Sequence, residues 1–323
     1  MKNKLALCAA VFSLFVLIFA SGEVITYCRG SLSLCAELIL PSLFPFMIVS
    51  ILLSRLGLPT MLGRAAAPLA RRLFGVSGAG ATALIIGLCG GYPLGAAYVS
   101  DMAQRGAISR REGERLLGFC NNSGPAFIIG AVGVGTFASA RVGIYLYAIH
   151  ALSAVLAGII FRLCLGRIDA PPHSEEHDAR NAPPALAYAL TSAIKEACIS
   201  AINICGFVIC FGVVVGLIDS GGVLSLIIGR LSAITGLELH ALRALITGML
   251  ELGTGTDALR ALRVSPPTLA LAAFLLGWGG VSVHFQTMAV ICDGEMNGAL
   301  HLAGRLICAI IAAILAYGLY FML

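Results

Sequence analysis

Residues 118–135 read "GFCNNSGPAFIIGAVGVG", and five of them interrupt an apolar run that otherwise resembles a membrane-spanning helix. The interruption consists of polar or helix-breaking residues, namely Asn121, Asn122, Ser123, Gly124 and Pro125. Proline lacks a backbone donor and clashes with the preceding helical turn, so backbone polar groups are freed here. Such groups are tolerated at membrane depth only beside protein or a water-filled cavity. The stretch therefore predicts a broken transmembrane helix that faces a cavity.

Composition places the chain in a membrane. Of its 323 residues, 59% are hydrophobic and 11% are charged, and several long runs carry almost no charge. About 20 apolar residues span the hydrocarbon core as a helix, so the length fits one membrane domain with no separate soluble domain. The net charge of +5 is explained by basic residues at one membrane face, and no nucleic-acid partner is expected.

The apolar runs predict seven full crossings and two shorter, interrupted stretches. The predicted crossings are 5–27, 32–54, 112–135, 141–165, 197–219, 267–290 and 300–322. The interrupted stretches, 77–105 and 237–263, carry "GGYPLG" and "LGTGT" near their centres. The first arm, 77–89, would be about 20 Å long as a helix, too short for a hydrocarbon core of roughly 30 Å. Each stretch is therefore predicted to form a re-entrant helical hairpin.

The predicted organisation is one transport domain over 1–323. It comprises a first transmembrane helix at 1–30, repeat 1 at 31–165, a cytoplasmic linker at 166–190 and repeat 2 at 191–323. The start of the chain also resembles a signal peptide, but its apolar run is long for one. With the N-terminus inside, fifteen of the 21 Lys and Arg residues, Arg305 among them, fall at the cytoplasmic face, as the positive-inside rule requires.

An internal repeat follows from the order of these elements. The series of helix, hairpin and broken helix occurs twice, with "GLCGGYPLG" matching "GMLELGTG" and "LLGFCNNSGP" matching "LLGWGGVSVH". An odd number of crossings separates the copies, so they have opposite orientations. The predicted fold class is an all-α polytopic membrane protein with inverted repeats, two re-entrant helical hairpins and two broken transmembrane helices. This design is typical of secondary transporters.

The two hairpin tips offer candidate anion sites. In the first tip, Gly91 permits a tight turn and Pro93 favours the start of a helix near Leu94. In the second tip, Thr254 or Thr256 is predicted to cap an arm that begins around Asp257. Helix N-termini directed into the membrane would present free N–H groups to a carboxylate or another anion.

Glu251 is the strongest single candidate for a functional residue. A carboxylate inside the hydrocarbon region is energetically unfavourable, so it is interpreted as functional by default. It is expected to bind a coupling cation, carry a proton or accept hydrogen bonds from a polar substrate. The alternative is an ion pair with Arg243 or Arg260 at the membrane edge.

The second broken helix supplies further polar residues. "GWGGVSVHFQ" at 277–286 carries Ser282, His284 and Gln286, which would alternate if the backbone were extended after the glycines. His284 is either a proton carrier or a hydrogen-bonded structural histidine. Asp101 and Asp257 are expected to lie at the interface or to pair with arginine.

No enzymatic chemistry is indicated. The eleven cysteines have no C-x-x-C spacing and are expected to pack as small apolar residues. The polar stretch 171–184 is interpreted as a solvated linker and not as a metal site. We find no nucleophile and base pair or phosphate loop, so no enzyme, bound cofactor or metal is expected. H⁺ and Na⁺ both remain open as coupling ions.

The sequence "GGYPLGAAYVSDMAQRGAISRREGERLLGFCNNSGPAFIIGAVGVG" resembles the YlbJ-type sporulation integral membrane proteins. These belong to the nucleoside-recognition "Gate" group, similar in architecture to concentrative nucleoside transporters. The second half agrees at "LELGTG" and "GWGGVSVHFQ", and the resemblance extends over nearly the whole chain from about residue 30. Two departures put the substrate in doubt: the family often has a basic residue in place of Ala97 and an asparagine in place of Thr254.

The resemblance implies dipicolinate export from the mother cell across the outer forespore membrane. It maps a substrate site onto Gly91, Tyr92, Pro93, Asn121, Asn122, Ser123, Glu251, Thr254, Ser282, His284 and Gln286. Two opposed helix N-termini would each take one carboxylate of this planar dianion, with Glu251 protonated or paired. A nucleoside or nucleobase transporter and a non-transporting scaffold in spore maturation are the alternatives. The expected partners are a small-molecule substrate and the lipid bilayer, and a homo-oligomer is left open.

Overall fold

The computed structural model describes residues 2–166, 185–292 and 296–323, and its regular elements within these ranges are all helices. The first half contains α1 (Lys2–Phe19), α2 (Ser21–Arg55), α3 (Leu58–Leu73), α4 (Gly78–Gly90), α5 (Leu94–Gln104), α6 (Arg110–Cys120), α7 (Ala126–Thr136) and α8 (Ala140–Leu165). The second half contains α9 (Leu186–Ser220), α10 (Val223–Thr235), α11 (Leu239–Leu250), α12 (Leu252–Ala258), α13 (Pro266–Trp278), α14 (Gly280–Cys292) and α15 (Ala299–Gly318). Most of the predicted linker at 166–190, with its histidines, lies outside the described residues.

The described part of the chain has five helical stretches long and apolar enough to cross a membrane, against seven predicted crossings. They are α2, α8, α9, the α13 and α14 pair, and α15. A sixth candidate is the pair α3 and α4, which meet at an angle of 106°. The chain is thus an integral membrane protein with multiple apolar helices.

The predicted boundary between the first two crossings differs in the structure, whereas the third crossing is broken as predicted. The turn predicted between residues 27 and 32 is absent, because the helix runs without a stop from Ser21 to Arg55 and the first break falls at Ala20. A lone Gly30 without a proline does not end an apolar helix. The crossing predicted at 112–135 consists of α6 and α7, two pieces of 11 residues each, of which α7 is π-helical.

The two halves share one order of elements. A long helix (α2 or α9) leads to a short helix (α3 or α10), a hairpin (α4–α5 or α11–α12), a broken helix (α6–α7 or α13–α14) and a last long helix (α8 or α15). The short helices were not predicted. Each begins after a left-handed glycine, Gly57 at φ 83° and Gly222 at φ 73°. The predicted fold class is confirmed, whereas the depth of the hairpin tips in a bilayer stays a prediction.

Close glycine contacts hold both hairpins together. A Cβ atom on Gly95 would lie 3.0 Å from the Cα atom of Gly87 in the facing arm. In the second hairpin, a Cβ atom on Gly255 would overlap the backbone of Gly248. Backbones approach this closely only where side chains are absent. The recurrence of this contact supports the repeat inferred from the sequence.

The two helix breaks use different backbone devices. After α6 the chain is extended at Asn121 (φ −92°, ψ 94°) and resumes as a helix from Pro125. Between α13 and α14 the break consists of Gly279 and Gly280, with φ of 90° and 82°, which glycine adopts readily. The backbone after these glycines is helical and not extended, because α14 begins at Gly280.

Gly87→Ala is expected to lower the free energy of unfolding by about 1–3 kcal/mol, the usual range for overpacking. Its Cβ atom would overlap the backbone carbonyl of Cys120, which cannot rotate away. Gly206→Ala is the matched control, because Gly206 is also inside a helix but has no heavy atom within 4 Å of an added Cβ. Thermal unfolding of the purified protein in detergent checks this, and equal midpoints for the two variants would contradict the close contact.

Candidate functional site

One cavity lies where the two hairpin tips and the two helix breaks meet. It is narrow, with a volume of about 70 Å³, and is partly open. Its walls come from the first tip (Gly90, Gly91, Tyr92), the first break (Ser123, Gly124, Ala126, Phe127), the second tip (Glu251, Leu252, Gly253) and the start of α14 (Ser282, Val283, Gln286). Helix α2 adds Ile39, Leu43, Phe46, Met47 and Ser50, and α9 adds Ile204 and Val208. The matching hairpin tips and helix breaks of the two halves thus line the same cavity.

The first tip packs directly on the first break. Gly91 turns the chain with φ 77°, and a Cβ atom there would lie 2.7 Å from the backbone nitrogen of Gly124. The second arm begins at Leu94, as predicted. Gly91 and Tyr92 line the cavity, whereas Pro93 does not.

The Glu251 side chain caps the N-terminus of α12 at the second tip. Its carboxylate accepts hydrogen bonds from the backbone nitrogens of Gly253 at 2.9 Å and Thr254 at 2.6 Å. Helix α12 therefore begins at Leu252, and the arm predicted to start around Asp257 under a Thr254 or Thr256 cap is wrong. Because this side chain satisfies the first N–H groups of α12, they are not free to bind an anion.

The predicted alternative ion pairs of Glu251 are not formed. Arg243 pairs with Asp219 at 2.7 Å, and Arg260 pairs with Asp257 at 2.7 Å. Asp101 pairs with Arg105 at 2.9 Å, so both aspartates on the hairpins have the arginine partners expected of them. Glu251 is 2% exposed and remains at the cavity wall.

The helical register of α14 determines which polar residues of the second break face the cavity. Ser282 and Gln286 are four residues apart, share one helix face and line the cavity. His284 points elsewhere, and its Nδ1 atom lies 3.1 Å from Nε2 of His301. His301 in turn places Nδ1 3.1 Å from the carbonyl oxygen of Leu117. The structure therefore favours the hydrogen-bonded interpretation of His284.

The two asparagines lie behind the cavity wall. Asn121 and Asn122 are completely buried and do not line the cavity. Nδ2 of Asn121 donates to Thr287 at 2.8 Å, and Nδ2 of Asn122 donates to the carbonyl of Phe119 at 2.8 Å. They hold the broken backbone in place. Of the three predicted contacts Asn121, Asn122 and Ser123, Ser123 alone lines the cavity.

Three buried groups near the breaks were missed by sequence reasoning. Arg305 is 0% exposed inside α15, and its predicted place at the cytoplasmic membrane face stays a prediction. His150 Nε2 accepts a hydrogen bond from the backbone nitrogen of Ser123 at 3.1 Å, and His301 supports Leu117. The signal was present, since a lone arginine or histidine inside an apolar helix marks a functional position by default.

Nη1 of Arg305 lies within hydrogen-bond distance of three oxygens. These are the backbone carbonyl of Asn121 at 2.5 Å, Oδ1 of Asn122 at 3.1 Å and the hydroxyl of Tyr92 at 3.4 Å. The guanidinium thus joins the first tip, the first break and α15. It places a positive charge directly behind a cavity wall that carries a single carboxylate, Glu251, among the lining residues.

No group of three or more His, Cys, Asp or Glu side chains in the described ranges is arranged to hold a metal ion. The predicted linker with His173 and His177 falls outside those ranges.

The chain is 29% identical over 323 residues to the sporulation integral membrane protein YlbJ of Bacillus subtilis (strain 168), covering 92% of this chain and 79% of that protein. The predicted resemblance to the YlbJ-type proteins is confirmed. No family model matches the chain.

Solved structures show the fold. Two structures of the concentrative nucleoside transporter CNTnw match 98% of this chain at 14% identity. One is a variant in an outward-facing state, with a TM-score of 0.55 over 87% of that chain. The other is a variant in an intermediate state, with a TM-score of 0.52 over 85% of that chain. The YlbJ-like chain therefore has a membrane-transporter-like fold.

Thr287→Val is expected to lower the free energy of unfolding by about 1–3 kcal/mol, because it leaves the buried amide of Asn121 without its acceptor. Thr191→Val is the matched control. Both hydroxyls donate to the carbonyl four residues earlier at 2.9 Å, but Thr191 is exposed and accepts from no second side chain among the described residues. Its effect should stay within about 0.5 kcal/mol. Thermal unfolding in detergent compares the two, and a Thr287 variant as stable as the control would contradict the role given to Asn121.

Proposed function

We propose that this protein is a secondary-type transporter of a small anionic or polar aromatic solute, with dipicolinate as the first candidate substrate. The observation that carries the proposal is the convergence of two hairpin tips and two helix breaks on one cavity. We place the protein in a cell membrane and, in a spore former, in the outer forespore membrane. It acts by binding and moving its substrate, without catalysis.

The transporter assignment is supported by what these breaks require. Each break leaves backbone groups without helical partners, which is unfavourable in lipid and useful beside a polar solute. Two such breaks in matching halves are the arrangement that secondary transporters use for substrate sites. A scaffold has no comparable need for four interruptions around one space.

The cavity suits a flat ring with polar groups at its edge. Apolar walls come from Leu43, Phe46 and Phe127, which can face the two sides of a ring. Polar atoms come from the side chains of Tyr92, Ser123, Glu251, Ser282 and Gln286. Largely apolar walls with a few placed polar groups are typical of small-molecule sites.

Dipicolinate is favoured by the sporulation relative and by the charge behind the first tip. Arg305 supplies a positive field at Tyr92, and we place one carboxylate of the dianion at this end of the cavity. The second carboxylate cannot use the N-terminus of α12, because Glu251 occupies it. We therefore assign that end of the substrate to Ser282 and Gln286, with Glu251 protonated or paired with a coupling cation.

A nucleoside is the second candidate, and one observation favours it. The carboxylate of Glu251 is ordered by two backbone N–H groups at the cavity wall, with further lone pairs available to accept from hydroxyl groups. Ribose hydroxyls and base amines are donors of this kind, whereas a dianion is not.

Glu251→Gln separates the two candidates. Removing the negative charge should strengthen dipicolinate binding and weaken nucleoside binding, each by about tenfold or more, because about 1.4 kcal/mol corresponds to tenfold. Calorimetry on purified protein measures both affinities. Vesicle uptake of labelled dipicolinate follows transport.

Gln286→Ala should weaken binding of the true substrate by a similar factor, since it removes a donor from the cavity wall. Ser220→Ala is the control, because Ser220 is exposed at the end of α9 and bonds only the carbonyl of Leu217 among the described residues. If folded protein bound neither dipicolinate, nucleosides nor other small carboxylates, the transporter proposal would be wrong and the scaffold role would be favoured.

A further inference from the structure

The first tip and the first break meet at a buried positive charge with no described carboxylate partner. Nη1 of Arg305 is shared by a backbone carbonyl, an amide oxygen and a phenol hydroxyl. The Cys308 thiol lies beside the guanidinium of Arg305. The Nε and Nη2 atoms of Arg305 have no nitrogen or oxygen acceptor in the described structure. The charge is therefore balanced by oxygen dipoles and not by an anion.

One of these oxygens, the carbonyl of Asn121, lies at the C-terminal end of a half-helix. Helix α6 ends at Cys120, and the last carbonyls of a helix carry a partial negative charge. Side chains satisfy them one by one: His301 at Leu117, Asn122 at Phe119 and Arg305 at Asn121. Of these three partners, Arg305 alone is a permanent cation.

Neutral oxygens of this kind are the ligands of alkali cations in transporters. In broken-helix folds, coupling cations are held by unwound carbonyls and by half-helix C-termini. We propose that Arg305 is a tethered cation that fills such a position between the first tip and the first break, so that solute binding in the cavity needs no sodium ion. This goes beyond the proposed function, which left the coupling ion open.

The positive charge of Arg305 excludes a mobile cation from this arrangement. The carbonyl of Asn121, Oδ1 of Asn122 and the Tyr92 hydroxyl already face one guanidinium group, which repels a second positive charge. Unlike a bound ion, the guanidinium stays attached to α15 through any cycle. The tip and the break are thus held together permanently, where an exchangeable ion would hold them only while bound.

The first test uses the unmodified protein. Thermal unfolding of purified protein is followed in NaCl, KCl and choline chloride at equal ionic strength, with and without solute. The unfolding midpoint and the solute affinity are expected to be the same in all three salts. A saturable stabilisation by Na⁺, or a solute affinity that rises with Na⁺ alone, would overturn the proposal.

The second test removes the guanidinium group of Arg305 from the proposed cation position. Arg305→Ala should unfold at a lower temperature in choline chloride and should recover part of the loss, saturably, on addition of Na⁺ or methylguanidinium. Arg243→Ala is the control, because Arg243 pairs with the carboxylate of Asp219 at a partly exposed site and should show no saturable rescue. A folded Arg305→Ala protein that no cation rescues would show that the oxygens do not form a cation site.

A failure of the tethered-cation proposal can be told apart from a failure of the transporter proposal. If Arg305→Ala does not fold, the salt series on unmodified protein decides alone, since either a flat or a sodium-dependent midpoint answers the question. If unmodified protein binds no solute in any salt, the transporter proposal fails. The salt dependence of unfolding still tests the tethered cation.

Discussion

Backbone groups freed at the helix breaks must find partners inside the protein, and the rest of the structure depends on this constraint. Lipid offers no hydrogen bonds, so each unpaired N–H or C=O group at membrane depth is unfavourable by several kcal/mol. At the end of α6, buried side chains from α15 and from the break itself supply the partners. At the start of α12, Glu251 supplies them.

Two buried helix ends beside the cavity are stabilised by opposite charges. At the first helix break the end is the C-terminus of α6, negative in character, and Arg305 lies against it. At the second hairpin tip the end is the N-terminus of α12, positive in character, and the Glu251 carboxylate lies against it. A break and a hairpin tip thus need side chains of opposite charge, each suited to the helix end that it stabilises.

Sequence predicts the breaks because glycine and proline are conspicuous inside apolar runs. It does not predict how side chains around a break are shared. The asparagines at 121 and 122 look like substrate contacts in sequence, yet their partners Thr287 and Arg305 lie more than 160 residues away and turn them from the cavity. Likewise, whether α14 begins as a helix or an extended strand decides the direction of His284, and two adjacent glycines permit either.

The opposed charges also constrain any ligand of the cavity. A solute between Tyr92 and Gln286 would have Arg305 behind one wall and the carboxylate of Glu251 at another. The electric field between the positive Arg305 and the negative Glu251 favours a solute with an electron-rich end at the first tip. At the second tip it favours hydrogen-bond donors. A symmetric dianion fits only after Glu251 takes up a proton or a cation, because two like charges in a low-dielectric site repel. Proton uptake by Glu251 would then accompany dianion binding, whereas a neutral solute with hydroxyl donors would bind the ionised carboxylate directly.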